Sequence, residues 1–402
     1  MRKTVAIICE FNPFHNGHSY MFARVREMFG EDTALVAIMS GNYVQRGTPA
    51  MMSKQARARC AMECGADLVL ELPFPYSASS AERFATAGVH IASSLGCVDY
   101  LAFGSETADT DALTDIAIRL EKDAFRSSYE QIDKEQTVGS AQKTCIAYKT
   151  LYGDLPDALL QPNSILGIEY IRALLREKSD IQPIAIPRAG TAHDAEETDA
   201  DIVSASAIRH LLAGGETELA FAKIPPETRG ILEEELREGR APVTYDGLLG
   251  YALLYYRQHK PLEFSVTEGL GDGLGDRFCK AAWNNATPSG FFESIRTKRY
   301  TDAYLRRALL YGLFGVKRED LNAPPAYTQL LAMTKNGQKI LSSIRRTAKI
   351  TILTKPADYK AMNATAQTAA ELSLRADSLY CALFPSPTPA SDLLRYSPWR
   401  KK

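Results

Sequence analysis

The chain has 402 residues and a formal net charge of −1, with 45% hydrophobic and 24% charged residues, a composition ordinary for a soluble globular protein and long enough for two domains with cores of their own. No apolar run reaches the roughly 18 residues that a membrane span requires. The apolar part of the first ten residues is too short for a signal peptide and is interrupted by Glu10, so a cytoplasmic location is expected.

Residues 5–9 form a continuous apolar run, as expected for a strand covered on both faces. Residues 17–29 read as a helix closed by Gly30, and residues 34–39 as a second strand followed by the turn Ser40-Gly41-Asn42. Ser53 can cap a helix running to Cys64 with Gly65 as its stop. A strand at 67–72 ends at Pro73, a helix at 81–95 ends at Gly96, and a strand at 100–103 precedes Gly104-Ser105-Glu106. Residues 108–160 look like a mainly helical insertion, followed by a helix at 165–177 and a strand at 181–186. An acidic loop at 193–201 leads into a helix opened by Ser204-Ala205-Ser206-Ala207-Ile208-Arg209. Repeated β-α-β units with short links predict an α/β fold with a doubly wound, Rossmann-like parallel sheet.

Around residues 215–245 the pattern changes to charged helix with Pro225-Pro226 and Pro242. The expected organisation is therefore an α/β domain over 1–220, a linker over 221–242 and a mainly helical domain over 243–402, whose one clear strand signal is Ile350-Thr351-Ile352-Leu353. Charge follows the same division. Residues 243–402 hold 23 Lys and Arg against 13 Asp and Glu, while residues 1–242 hold 24 against 35. An asymmetry of this size points to a polyanionic partner for the C-terminal part, or to attraction between the two halves. The seven cysteines contain no Cys-x-x-Cys pair and read as buried reduced thiols; Cys60 and Cys64 share a helix face, but no His or Cys cluster completes a zinc site.

The segment Glu10-Phe11-Asn12-Pro13-Phe14-His15-Asn16-Gly17-His18 follows the first strand and opens the first helix. Ligands of doubly wound sheets bind beyond the carboxyl ends of the strands. Two imidazoles three residues apart on a first helical turn point to one side, where free backbone N–H groups already attract phosphate. Imidazole donors there can stabilise a phosphate whose charge rises in a transition state, and Gly17 lets a nucleotide approach the backbone. Metal binding by His15 and His18 is the competing reading. A second helix start offers Ser206 and Arg209, which fit leaving phosphates or simply a capped helix.

The first segment resembles the His-x-Gly-His signature of the nucleotidyltransferase superfamily, and Ser204 to Arg209 resembles its Ser-Ser-x-x-Ile-Arg element. With Ser40-Gly41-Asn42-Tyr43-Val44-Gln45-Arg46-Gly47, Phe103-Gly104-Ser105-Glu106, Pro162-Asn163-Ser164-Ile165-Leu166-Gly167-Ile168-Glu169-Tyr170 and Lys298-Arg299-Tyr300-Thr301, in that order, nearly the whole chain resembles the bacterial tRNA(Met) cytidine acetate ligase family. The resemblance implies that acetate and ATP form acetyl-adenylate and pyrophosphate. The exocyclic amine of the wobble cytidine of elongator tRNA(Met) then takes the acetyl group. His15 and His18 are the implied catalytic pair. The implied ATP contacts are Ile8, Cys9, Glu10, Phe11, Asn12, Pro13, Phe14, His15, Asn16, Gly17, His18, Ser19, Tyr20 and Met21, with Gly104, Asn163, Arg188, Ser206 and Arg209. Asn163 also suits a helix cap. Mg²⁺ is expected on the phosphates and water, without a protein cage.

In the C-terminal part, Arg296, Lys298, Arg299, Arg306 and Arg307 lie within twelve residues, with Tyr300 and Tyr304 between them. Basic side chains neutralise phosphates and interleaved aromatics stack on unpaired bases, so these residues are the expected tRNA contacts. Arg345, Arg346 and Lys349 form a second cluster, and Arg400-Lys401-Lys402 a basic tail. Gln45, Arg46 and Lys54 face either RNA, adenylate or solvent. One departure from the family is the stretch from Gly269 to Arg277, longer and more glycine-rich than a Glu-Gly-Leu-x-x-Arg pattern. The rival readings are a small-molecule adenylyltransferase, which leaves the basic C-terminal part unexplained, and a non-enzymatic RNA-binding protein.

Overall fold

The computed structural model describes residues 2–135, 139–188, 203–395 and 397–401. The acidic loop 193–201, Ala189, Gly190, Lys402 and the Arg345 side chain lie outside the described residues. The apolar runs become strands β1 (Thr4–Cys9), β2 (Ala34–Ser40), β5 (Leu68–Leu72), β6 (Tyr100–Ser105) and β7 (Gln182–Pro187), while β3 (Tyr43–Val44) and β4 (Thr48–Pro49) pair as a separate antiparallel hairpin. Strands β8 (Tyr327–Met333), β9 (Thr351–Leu353) and β10 (Trp399–Arg400) come from the far end of the chain. The main sheet has eight strands in the order β10-β8-β5-β2-β1-β6-β7, with β9 on β8. All neighbours are parallel except β5 and β8.

Alternation along β1 splits the core. Ala6 and Ile8 face one apolar layer, and Val5, Ile7 and Cys9 face the other. The helices within residues 1–220 are α1 (Asn16–Phe29), α2 (Lys54–Glu63), α3 (Ala81–Ser94), α4 (Thr110–Glu121), α5 (Asp123–Glu135), α6 (Ser140–Tyr152), α7 (Pro162–Glu177), α8 (Ala205–Ala213) and α9 (Thr217–Phe221). Ser53 caps α2 and Ser80 caps α3, each hydroxyl accepting a first-turn N–H. The segment 108–160 is helical as expected, in α4, α5 and α6.

Residues 221–242, expected as a linker, contain α10 (Pro226–Arg237), which packs on α2 with an Arg59–Glu234 ion pair at 3.1 Å. The remaining helices are α11 (Tyr245–Gln258), α12 (Leu274–Asn284), α13 (Pro288–Ile295), α14 (Asp302–Phe314), α15 (Arg318–Asn322), α16 (Lys335–Thr347) and α17 (Ala364–Ala382). The helical character of the C-terminal part is thus observed, and it also lends β8, β9 and β10 to the sheet. Sequence reading finds only β9 among these. Tyr327–Met333 joins through its backbone to β5, some 260 positions earlier, and that pairing leaves no local mark.

Candidate active site

At the carboxyl end of β1 the chain turns into a loop in which Phe11 takes φ of 48° before α1 begins. His15 is the N-cap of α1: its Nδ1 accepts from the Gly17 N–H at 3.1 Å. The His15 N–H in turn donates to His18 Nδ1 at 3.1 Å, and the two rings lie tilted against each other with centroids 3.8 Å apart. Because each Nδ1 accepts a backbone N–H, each neutral ring carries its proton on Nε2. Burial lowers His15 to about 4, helped by Arg188 and Arg209. Burial also holds His18 well below the usual histidine range, with His15 and Arg188 adding to it. Two neutral Nε2–H donors therefore face the cleft at a helix N-terminus. A metal bound at Nε2 needs the opposite tautomer, so this arrangement suits phosphate oxygens better than a cation.

The cleft holds about 500 Å³. Of the expected ATP contacts, Ile8, Cys9, Glu10, Phe11, Asn12, His15, Gly17, His18, Tyr20, Met21, Gly104, Asn163, Arg188, Ser206 and Arg209 line it. Pro13, Phe14, Asn16 and Ser19 do not. Phe14 is buried against Phe11 and Phe22, the Asn16 N–H reaches back to the Lys223 carbonyl, and the Ser19 hydroxyl bonds the Cys64 thiol behind α1. For Asn16 and Ser19 this follows from helical geometry, since only one face of the first turn meets the cleft; Pro13 and Phe14 lie in the loop before α1.

Opposite the imidazoles, Asn163 at the start of α7 bridges two side chains. Its amide donates to Glu106 at 2.5 Å and its oxygen accepts from Arg188 at 3.0 Å. Burial works against the Glu106 charge, but hydrogen bonds from Asn163 and Ser164 hold its carboxyl below the usual range. A side chain at Gly104 would meet Met21 Cε at 3.2 Å and Arg188 Cγ at 3.5 Å, so glycine keeps this wall open. Ser204 rather than Ser206 caps α8, and the Ser206 hydroxyl bonds Ser204 Oγ at 3.0 Å. Arg209, one turn on, donates to the Asn12 carbonyl at 2.5 Å. Two imidazole donors and two arginines therefore converge on one cleft, which is what a polyphosphate requires.

A family model described as HIGH Nucleotidyl Transferase matches residues 2–393. The tRNA(Met) cytidine acetate ligase of Halothermothrix orenii is 36% identical over 406 residues, covering 96% of each chain. The protein of the same name from Acetivibrio thermocellus is 33% identical over 399 residues, again with 96% of each covered. This chain belongs to the tRNA(Met) cytidine acetate ligase family of HIGH nucleotidyl transferases. The crystal structure of Thermotoga maritima TmcAL bound with alpha-thio ATP superposes with a TM-score of 0.91 at 30% identity, over 99% of this chain and all of that one.

Sequence reading misses Arg57 altogether and offers Lys54 only to RNA, adenylate or solvent, whereas both are buried beside the cleft. Arg57 is fully buried in α2 and donates to the Glu10 carbonyl at 2.5 Å, the Ser40 carbonyl at 3.1 Å and the Met52 carbonyl at 3.0 Å, as well as to the Gly41 carbonyl. It thereby clamps the ends of β1 and β2 beneath the cleft. Lys54, at the start of the same helix, lies between Glu71 at 2.7 Å and Asp377 of α17 at 2.6 Å. Asn42 also donates to Asp377, at 2.8 Å. Burial opposes the Lys54 charge, but the two carboxylates drive its pKa up; burial and the nearby Asp377 push Glu71 up to about 7. This network ties the C-terminal helix to the turn after β2.

The expected tRNA contacts divide. Arg296, Lys298 and Arg299 are exposed, although Arg296 is paired with Glu293 and Asp302, and Arg299 with Asp272. Arg299 also lies over Tyr300, which stacks on Tyr304 at 4.7 Å. Arg306 is half-buried over the rings of Tyr245 and Phe292. Arg307 turns inward to the Gln45 carbonyl at 3.2 Å. Both are half-buried, Arg306 by those two rings and Arg307 by the hairpin after β2. Arg346, Lys349 and Arg400 are exposed, and Lys401 pairs with Glu63 at 2.9 Å. Arg277 donates to the carbonyls of Ser294, Ile295 and Arg296, closing the end of α13. The glycine-rich stretch before it opens α12, with Gly273 at φ of 78°. No helix among the described residues is long and apolar enough to cross a membrane.

Proposed function

We propose that this chain is a tRNA(Met) cytidine acetate ligase, which activates acetate with ATP as acetyl-adenylate and passes the acetyl group to the wobble cytidine of elongator tRNA(Met). The observation that carries the first step is the pair of Nε2–H imidazoles at the start of α1, facing Arg188 and Arg209 across the cleft. The carboxylate of acetate attacks the α-phosphorus of ATP, and the phosphorus–oxygen bond to pyrophosphate breaks. Fixed donors and guanidinium groups stabilise the charge that builds on the phosphates, without reorganising as it forms. The names and the ATP-analogue complex of the relatives support the substrate choice.

The two parts of the chain take different roles in this reading. Residues 1–220 carry the adenylation chemistry, and residues 243–402 meet the RNA through the exposed Arg296, Lys298 and Arg299 face. A wobble base lies in a single-stranded loop, so no duplex has to be opened. Mg²⁺ enters with the triphosphate. Among the described residues no group of three His, Cys, Asp or Glu side chains stands ready to hold a metal ion. The donor set around His15, His18, Arg188 and Arg209 fits the phosphates, and the ion would supply further charge neutralisation on them.

Exchange of labelled pyrophosphate into ATP tests the first half. The proposed function gives exchange that depends on acetate. Exchange that depends instead on another small acid or phosphate ester would favour a small-molecule adenylyltransferase. No exchange with any acceptor would reduce the chain to an RNA- and ATP-binding protein.

A further inference from the structure

The groups proposed to hold ATP do not fill the cleft. Gly104, Asn163 and Arg188 belong to β6, α7 and the end of β7, on one side of β1, and α8 brings Arg209. On the other side of β1 lies β2, and the β3–β4 hairpin that follows β2 supplies Gln45 and Arg46 to the same cleft. Glu10, at the end of β1 and itself among the expected ATP contacts, stands between these two halves and lines the cleft toward both.

The hairpin is firmly seated. The Gln45 N–H donates to Glu10 Oε1 at 2.8 Å, and the Gln45 carbonyl accepts from Arg307. Gly47 has φ of 74°, and a Cβ there would lie 2.6 Å from the Arg307 nitrogen, so the hairpin tip rests directly on the backbone of α14. The seating leaves the second Glu10 oxygen and the exposed Arg46 guanidinium with no hydrogen bond or ion pair to any described residue, so both are open to a ligand.

We infer that this second half of the cleft receives the wobble cytidine, with Glu10 accepting from its exocyclic amine and Arg46 holding a neighbouring phosphate. This rests on the function proposed above. Cytosine presents its N4 amine as a donor, and a carboxylate is the side chain that reads it. In the transfer step the N4 nitrogen forms a bond to the acetyl carbonyl carbon. The bond from that carbon to the phosphate oxygen breaks, with its electron pair going to AMP, and one N4 proton passes to Glu10. The surroundings suit a base. Burial raises the Glu10 pKa, and the Gln45 N–H, Arg57, Arg209 and Arg46 oppose it without cancelling it. Cys9 and Tyr170 are the other titratable groups near it, and burial keeps both protonated. Glu10 thus gains basicity from burial, while the guanidinium groups of Arg57, Arg209 and Arg46 favour its charged form.

Synthetic acetyl-adenylate, mixed with enzyme and tRNA(Met) in a single turnover, isolates this step from adenylation. Wild-type enzyme is expected to transfer acetate with a rate that rises with pH as Glu10 loses its proton. Glu10→Gln keeps an acceptor for the Gln45 N–H and is expected to slow transfer by about 10² to 10⁴-fold and to abolish that rise. Glu10→Asp should restore the rise at a lower rate. Transfer by Glu10→Gln at the wild-type rate, or slower transfer with the wild-type pH profile, would overturn the assignment. Arg46→Ala alters an exposed side chain and is expected to raise KM for tRNA about tenfold; an unaltered KM would remove Arg46 from the site. If wild-type enzyme itself fails to transfer, the proposed function falls and this inference with it.

Discussion

The His15 amide donates to the Nδ1 of His18, three residues along, so one imidazole is held by the backbone of the other's residue. With His15 Nδ1 accepting from Gly17, both rings are fixed in tautomer and orientation before any ligand arrives. Removing one ring therefore takes away a donor from the cleft and an acceptor from the helix start. His18→Ala is expected to lower acetate-dependent pyrophosphate exchange by about 10² to 10³-fold, the usual cost of one preorganised donor to a charged transition state. Stability should fall by only about 1 kcal/mol, as for a lost cap. Exchange kinetics beside urea unfolding separate the two; wild-type exchange would take His18 out of the chemistry.

Stability should also depend on pH through this pair. His15 titrates at about 4 in the folded protein against an ordinary 6.5. Between those values the unfolded chain binds a proton that the folded chain refuses, so stability is full above about 6.5 and falls as pH drops toward 4. Urea midpoints at pH 7, 6 and 5 should decline in that order. His15→Asn, which keeps an N-cap acceptor but cannot titrate, should decline less. Equal declines would mean that His15 contributes nothing to the acid sensitivity.

The elements that were legible in the sequence are those with local signatures. β1, β2, β5, β6 and β7 are short apolar runs between helical stretches, and Ser53 caps the helix it was expected to cap. The paired histidines were legible because their position after the first apolar strand dictates a helix N-terminus at the carboxyl edge of the sheet. What stayed hidden depends on contacts between distant parts of the chain. Arg57, within Ala56-Arg57-Ala58, looks like a solvent-facing helical residue, yet four carbonyls at the sheet edge enclose it. Arg306 and Arg307 counted as surface charge until the seating of α14 against the hairpin turned them inward.

Lys54 is the clearest case of a charge whose role is only structural in origin. Lys54→Met leaves Glu71 and Asp377 facing each other in the interior without their shared cation. The expected cost is about 3–5 kcal/mol, the range for an uncompensated buried charge. Denaturant unfolding measures it directly, and a loss below about 1 kcal/mol would show that the carboxylates find another partner.

The exposed pair Lys298 and Arg299 should behave differently from Arg307. Lys298→Glu combined with Arg299→Glu reverses charge on the exposed face and should weaken tRNA binding, with a salt-dependence slope smaller by up to about 2. Arg307→Ala should instead disturb the Gln45 hairpin and affect the adenylation site. Filter binding across salt concentrations, run beside pyrophosphate exchange, distinguishes the two effects. Equal losses of RNA affinity in both variants would contradict the placement of Arg307.

Mass spectrometry of tRNA(Met) after incubation with enzyme, ATP and isotope-labelled acetate decides whether this chain acetylates its RNA. The expected product carries one labelled acetyl group on the wobble cytidine, dependent on ATP and lost in His18→Ala. Unlabelled tRNA in the presence of active exchange, or labelling that survives without ATP, would contradict the proposed function.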